Sequence, residues 1–267
     1  MVLLVLGLTA RLEGEQMRVQ TEGFNGGDRT RIDLPAVQER LLERITALGK
    51  PVVLVLMSGS ALEVSWAQDH VPAILEAWYP GQAGGTAIAD VLFGAYNPAG
   101  RLPVTFYRGL SDLPAFDDYR MAGRTYRFYD GAPLYPFGHG LSFATFSYGR
   151  LRVSADTLHE GDTVTVSVDV TNTGTRAGDE VVQLYVRHLG SSVERPRMDL
   201  RGYQRVSLRP GQTHTVRMPL AASSLAYWNT TTHGWTVESE SVLLELGASS
   251  GDIRLERTVA VVAGAPR

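Results

Sequence analysis

Two carboxylates separated by a single residue, Glu13 and Glu15, follow closely after the apolar run from Val2 to Leu8. A short apolar run of this kind predicts a buried strand, so we expect the two acids in a loop at its C-terminal end. In open α/β sheets, ligands and chemistry gather at that end, where a carboxyl group can take part in proton transfer. Paired acids are also common on solvated loops, and the spacing alone leaves both interpretations open.

The elements that must position these acids alternate between strands and helices. A glycine-rich loop, Gly23 to Arg29, is able to fold back over the acids, and Pro35 then opens a helix. That helix has one apolar stripe at the helical period, formed by Val37, Leu41, Leu42, Ile45 and Leu48. Further strands are predicted at residues 51–57 and 73–78, and a second helix at residues 86–93. Residues 1–106 therefore predict an α/β layer with a mainly parallel sheet.

The rest of the chain has a different character. Residues 107–150 are dense in Tyr, Phe, Gly and Pro without a regular period, which predicts a long connection packed on a surface. From residue 151 to the end at 267, short segments alternate apolar and polar residues, as from Val164 to Val170. Turn residues separate these segments, so the pattern predicts an all-β sandwich.

Composition narrows the classes of function. The formal net charge of -3 gives no basic footprint, so we expect no nucleic-acid partner. The chain has no cysteine, which excludes disulfides and a thiol nucleophile, and its six histidines show no metal-ligand spacing. We expect no cofactor. No segment is long enough to span a membrane, so no membrane partner is expected. Residues 1–8 lack the basic start and cleavage site of a signal peptide, and the compartment is left open.

Several motifs together resemble the C-terminal portion of glycoside hydrolase family 3, the β-glucosidases and β-xylosidases. The motifs run from residue 5 to about 255 and comprise residues 73–94, 97–106, 123–128, 136–142, 172–174, 181–186 and 200–203. The resemblance implies a partial α/β sandwich domain, the connection, and a fibronectin-III-like β-sandwich. In that family an N-terminal (β/α)8 barrel carries an aspartate nucleophile, and a loop of the α/β sandwich domain supplies the acid/base.

The family's acid/base loop resembles residues 12–15, and its second carboxylate matches best, which implies Glu15 as acid/base and Glu13 as the second candidate. Asp28 and Arg29 resemble a pair that follows this loop, as a loop anchor or a substrate contact. The barrel and the domain's first strands have no counterpart in this sequence. The resemblance implies part of an exo-acting retaining β-glycosidase, which supplies the acid/base loop for hydrolysis of terminal β-linked sugars. The expected partners are a β-linked oligosaccharide or glycoside and a family 3 barrel, with self-association as the other possibility. The alternative is a remnant or carbohydrate-interacting module without activity of its own.

Overall fold

A computed structural model describes residues 1–13 and 17–264, which divide into two compact units. Unit 1 comprises residues 1–95, 104–124 and 130–135, and unit 2 comprises residues 96–103, 125–129 and 136 onward. The elements of unit 1 are β1 (Val2–Gly7), β2 (Phe24–Asn25), β3 (Asp28–Arg29), α1 (Ala36–Thr46), β4 (Val52–Met57), α2 (Ser65–His70), β5 (Ala73–Glu76), α3 (Gly84–Leu92) and a 3₁₀ turn at Leu110–Asp112.

The centre of unit 1 is a parallel sheet with the strand order β1-β4-β5. β4 is almost fully buried, as its uninterrupted Val/Leu sequence predicts, whereas β1 buries alternate residues at the edge of the sheet. β1 ends at Gly7, whose φ of 135° is open only to glycine, and an added Cβ would lie 1.9 Å from the carbonyl oxygen of Met57. Both backbone groups of Gly7 are bound by the Gln38 amide of α1 at 2.8 Å. These contacts fix the point at which the chain leaves the sheet.

The helices of unit 1 differ from the sequence expectation in two respects. The chain contains α2 between β4 and β5, where the sequence analysis predicted no helix, because six residues are too few for a helical period to show. In α1 only Leu42 of the predicted apolar stripe is buried, while Val37 is 66% exposed and Leu41 is 44% exposed. The stripe is therefore only partly covered in the described part of the chain.

Unit 2 is a two-layer β-sandwich. Its elements are α4 (Thr125–Phe128), β6 (Phe146–Val153), β7 (Thr157–His159), β8 (Thr163–Asn172), β9 (Gly178–His188), β10 (Asp199–Leu208), β11 (Thr213–Ala221), a 3₁₀ turn at Ala222–Leu225, β12 (Tyr227–Asn229), β13 (Gly234–Thr236), β14 (Glu240–Ser249) and β15 (Asp252–Val262). One sheet has the order β10-β9-β14-β15-β7 and the other β11-β8-β6. The strand pairs are antiparallel except β15 with β7.

Valine and leucine side chains from both sheets form the sandwich core. The alternating valines of β8 from Val164 to Val170 are all buried, as their period-2 pattern predicts. The predicted fold class, a partial α/β domain plus an all-β fibronectin-III-like sandwich, is confirmed. In the described residues, no helix combines the length and apolar character that a membrane span needs.

Part of the aromatic connection packs on the sandwich within unit 2. Tyr126 stacks on Phe137 at a centroid distance of 4.3 Å and meets Tyr185 edge to face. The buried Gln183 of β9 donates to the carbonyl oxygens of Gly138 and Ala248 at 3.2 and 2.6 Å. These contacts provide hydrogen-bond partners for Gln183, which is buried on the face of β9 opposite to its core residues Val182, Leu184 and Val186.

Candidate active site

Three segments of unit 1 follow the C-terminal ends of the parallel strands β1, β4 and β5 and meet at one edge of the sheet. The first is the turn from Thr9 to Glu13, in which the amides of Leu12 and Glu13 donate to the carbonyl oxygen of Thr9 at 2.8 and 3.0 Å. The second is the Ser58 to Ser60 turn, and the third leads to Tyr79. Strands in parallel register bring these segments together although 46 and 66 residues separate their contacts in sequence.

The Glu13 carboxylate lies at the centre of this edge, and its side chain is only 9% exposed. Oε2 accepts the Gly59 amide at 2.6 Å and the Tyr79 hydroxyl. Oε1 accepts the Ser60 hydroxyl and lies 3.8 Å from the Arg29 guanidinium. Both oxygens of Glu13 are therefore engaged by three hydrogen-bond donors and one cation, which is how a buried carboxylate is stabilised.

Arg29 anchors the glycine-rich loop to the same edge. Its guanidinium donates to the Ser60 hydroxyl at 2.9 Å and to the carbonyl oxygens of Ala61 and Asp33 at 3.2 and 3.1 Å. The ion pair with Glu13 completes this arrangement. The sequence left two roles open for Asp28 and Arg29, a loop anchor or a substrate contact. For Arg29, these bonds match the loop anchor.

The turn after β4 requires a small residue at its centre. An added Cβ on Gly59 would lie 2.9 Å from the Tyr79 ring and 3.1 Å from Oε2 of Glu13. The neighbouring Ser58 is fully buried, and its hydroxyl donates to the Ser60 carbonyl oxygen at 2.8 Å. Glycine and serine at these positions allow the Glu13 carboxylate to reach the backbone of the turn.

Tyr79 approaches Glu13 from the third segment. Burial, followed by the hydrogen bond to Glu13, raises the pKa of the Tyr79 phenol, so the hydroxyl stays protonated and acts as a donor at neutral pH. A second carboxyl group, that of Glu76, lies at the end of β5 and accepts the Trp78 amide at 2.9 Å. Burial raises the pKa of Glu76 to about 7, and the nearby charge of Glu13 adds to this shift.

The two acid/base candidates that the sequence predicted, Glu13 and Glu15, differ in what the structure describes. Glu13 lies inside the cluster with both oxygens committed, whereas Glu15 falls outside the described residues. Sequence reasoning did not assign Ser60, Tyr79 or Glu76 to the site. The signal that could have found them is their position just after parallel strands, at the sheet edge where Glu13 was expected.

The described residues offer no metal centre at this edge or elsewhere. No group of three or more His, Asp or Glu side chains in the described ranges is placed to hold a metal ion. Acid, base and hydrogen-bonding chemistry by the side chains themselves is what this cluster can supply.

Comparisons with known proteins identify a family model that matches the N-terminal half of the chain and another that matches part of the sandwich. The model of the glycosyl hydrolase family 3 C-terminal domain matches residues 1–143, and that of the fibronectin type III-like domain matches residues 180–250. These matches cover every motif that carried the resemblance in the sequence except residues 172–174.

Curated relatives extend the similarity across nearly the whole chain. A xylan 1,4-β-xylosidase from Xylanibacter ruminicola is 46% identical over 94% of this chain and 29% of its own length. A thermostable β-glucosidase B from Acetivibrio thermocellus is 42% identical over 91% of this chain and 33% of its own length. The chain thus spans about a third of the length of the curated relatives it matches.

Solved structures agree with the sequence relatives. A β-glucosidase from Erythrobacter marinus superposes with a TM-score of 0.85 at 38% identity, covering 97% of this chain and 34% of that one. A β-glucosidase from Listeria innocua in complex with glucose gives a TM-score of 0.82 at 30% identity, covering 98% of this chain and 36% of that one. From the family-model match and these relatives, the chain belongs to glycoside hydrolase family 3 and corresponds to a C-terminal part of its enzymes.

Proposed function

We propose that this chain supplies the acid/base loop of an exo-acting retaining β-glycosidase, a β-glucosidase or β-xylosidase, with Glu15 as the acid/base. The observation that carries this assignment is the state of Glu13, whose two oxygens are already bound by Gly59, Ser60, Tyr79 and Arg29. A general acid must give its proton to the leaving oxygen and later take one from water, so it needs an oxygen free to face the substrate. Glu13 serves as the anchor of the loop.

The proposed reaction divides the chemistry between two domains. A retaining glycosidase needs a protonated carboxyl group at the scissile oxygen and a second carboxylate about 5 Å away as nucleophile. Here Glu15 protonates the leaving oxygen while the nucleophile, expected on a family 3 barrel, bonds to the anomeric carbon. Glu15 then removes a proton from the water that releases the sugar.

The relatives support a substrate class for the proposed reaction. The relatives named above are a xylan 1,4-β-xylosidase and β-glucosidases. We propose terminal β-linked glucose or xylose as the sugar that is released. A docked family 3 barrel, in the same polypeptide or on a partner, supplies the remainder of the active site.

The test is complementation by a separately produced family 3 barrel from a close relative. We expect the isolated chain to be essentially inactive on aryl β-glucosides and β-xylosides, because general acid catalysis alone gives about 10²- to 10⁴-fold acceleration. Enzymes typically reach 10⁶-fold or more. Adding the barrel to the wild-type chain should restore turnover. On substrates with poor leaving groups, the barrel alone and the barrel combined with the Glu15→Ala chain should both remain inactive.

Two results would contradict this proposal. Enzyme-like turnover by the isolated chain would show that no separate nucleophile domain is needed. Tight association with the barrel, without turnover for any aryl glycoside, would instead favour the alternative of a non-catalytic remnant or carbohydrate-interacting module.

A further inference from the structure

Glu76 is a second buried carboxyl group at the sheet edge, and the acid/base assignment does not use it. It is the last residue of β5, and its Oε1 accepts the amide of Trp78 two residues later at 2.9 Å. Oε2 is buried and has no hydrogen-bond partner in the structure of the described residues. A buried carboxyl group with one satisfied oxygen is costly, so its contacts require an explanation.

The backbone that Glu76 holds is itself unfavourable. Trp78 has a φ of 52°, in the left-handed region where a side chain with a Cβ is penalised. Such a conformation persists only when surrounding contacts fix it. In unit 1 these contacts are the Glu76 bond, the Ala77 amide bond to the Leu56 carbonyl oxygen at 2.9 Å, and the edge-to-face packing of Trp78 on Phe106.

The left-handed turn determines where the next side chain goes. Tyr79 follows Trp78 directly and donates its hydroxyl to Oε2 of Glu13, the oxygen that also accepts the Gly59 amide. A relaxed backbone at Trp78 would move the tyrosine ring away from the Gly59 turn, against which it packs closely. Glu76 is therefore connected to Glu13 through two residues of backbone and one phenol.

We propose that Glu76 is a positioning residue, which fixes the left-handed turn at Trp78 so that Tyr79 holds Glu13 and thereby the loop that carries Glu15. Its effect on catalysis rests on the proposed acid/base role of Glu15. Its effect on Trp78, Tyr79 and Glu13 is a property of this chain alone and is testable without the barrel.

The protonation state of Glu76 gives this contact a measurable signature. Burial raises its pKa to about 7, the Trp78 amide opposes that rise, and the charge of Glu13 adds to it. Glu13 is the charged group that acts on Glu76 from the β1 loop, and Glu13 itself is bound by Arg29 and Tyr79. Because a carboxylate is a stronger acceptor than a carboxylic acid, the bond to the Trp78 amide strengthens as pH rises through about 7.

The first experiment is a pH titration of backbone amide shifts by NMR on the isolated chain. We expect the Trp78 amide to titrate with a midpoint near 7 in the wild type and to lose that titration in Glu76→Gln. The Arg120 amide is the internal control, since it donates to Asp118 at 3.0 Å in the same two-residue geometry, but the neighbouring Arg120 side chain lowers the pKa of Asp118 to about 2. A Trp78 amide that is flat between pH 5 and 9 would overturn the proposal, and this arm needs only the wild-type chain.

The second experiment measures hydrogen exchange of the Gly59 amide, which reports the hold on Glu13. We expect about tenfold faster exchange in Glu76→Ala, as the loss of one charge-assisted hydrogen bond implies, and near wild-type exchange in Glu76→Gln, which keeps an acceptor. Glu63→Ala is the matched control, because Glu63 accepts the Ser65 amide at 2.7 Å in the same unit without contacting Glu13. Unchanged Gly59 exchange in Glu76→Ala would overturn the proposal.

The third experiment measures how the positioning role of Glu76 affects turnover in the chain complemented with a barrel. Glu76→Ala should lower kcat for substrates with poor leaving groups more than for activated aryl glycosides, while Glu63→Ala leaves that ratio unchanged. An unchanged ratio in Glu76→Ala would overturn the catalytic part of the proposal. Absence of turnover with the wild-type chain would count against the proposed function instead, and the two NMR measurements would still decide the role of Glu76.

Discussion

At the residue scale, two glutamates two positions apart have different expected tasks. Glu13 is 9% exposed and has four partners, a setting that suits a structural carboxylate. The sequence located this pair, because an apolar run that ends in acids places them after a strand. It could not show which acid is held, because the donors Gly59, Ser60 and Tyr79 come from distant segments that only the folded sheet brings together.

Glu76 makes a prediction about stability and pH. Its folded-state pKa of about 7 lies above the ordinary value of 4.5, so the native state holds the proton more tightly than the unfolded state. The free energy of unfolding should therefore fall as pH rises from about 4.5 to about 7. The bond to the Trp78 amide offsets only part of this cost, because burial is the larger cause.

Replacing Glu76 by Gln should remove that pH dependence. We expect the free energy of unfolding of Glu76→Gln, relative to that of the wild type, to increase by roughly 1 to 2 kcal/mol between pH 4 and pH 8. This change is smaller than the full pKa difference implies, because part of the Glu76 side chain meets solvent. Urea unfolding followed by tryptophan fluorescence at both pH values measures it. The control is Glu22→Gln, whose 76% exposed side chain should leave the difference unchanged. If the stability difference between Glu76→Gln and the wild type were equal at the two pH values, Glu76 would not ionise in this range.

At the element scale, the strands were predictable and the short or partly covered helices were not. β4, β8 and β9 have strong apolar runs or strict alternation, which the sequence shows directly. The helix α2 buries only Ala67, so it has almost no apolar period to detect. The stripe on α1 predicted the helix correctly but did not show that Val37 and Leu41 would remain exposed, since exposure depends on what packs against the helix.

The end of β1 gives a prediction at this scale. Gly7→Ala should destabilise unit 1 by several kcal/mol, because the new Cβ would lie 1.9 Å from the Met57 carbonyl oxygen and the φ of 135° is strained for alanine. Gly85→Ala is the matched control of opposite sign. Gly85 lies in α3 with nothing within 4 Å of the added Cβ, so the change should stabilise by about 0.5 to 1 kcal/mol. Thermal unfolding of both variants measures the contrast, and a neutral Gly7→Ala would show that β1 does not end as described.

At the scale of the whole molecule, unit 1 carries apolar surface on an edge strand. Leu3 and Val5 lie on the same face of β1 and are 49% and 51% exposed, and β1 is an edge strand of the described sheet. An exposed apolar edge strand favours association with another chain. We therefore expect this edge to take part in association, either with a barrel or with a second copy of the chain.

Self-association should therefore depend on this edge. We expect concentration-dependent association of the chain in sedimentation equilibrium, weakened when Leu3→Ser and Val5→Ser are combined. The control pair is Leu189→Ser with Val193→Ser, which removes exposed apolar residues from unit 2 and should leave association unchanged. A monomer at every concentration, or equal weakening by both pairs, would contradict the role of β1.

A comparison of leaving groups in the barrel-complemented enzyme decides whether Glu15 or Glu13 is the acid/base. If Glu15 is the acid/base, Glu15→Ala should slow glycosides with poor leaving groups by about 10²- to 10⁴-fold but activated aryl glycosides much less, since the latter need little protonation. Added azide should partly restore turnover of the activated substrates by attacking the glycosyl intermediate without a general base. Glu13→Ala, which loosens the loop but keeps the Glu15 carboxyl group, should show a much smaller leaving-group dependence than Glu15→Ala and gain nothing from azide. Leaving-group dependence and azide rescue in Glu13→Ala, without either effect in Glu15→Ala, would show that Glu15 is not the acid/base.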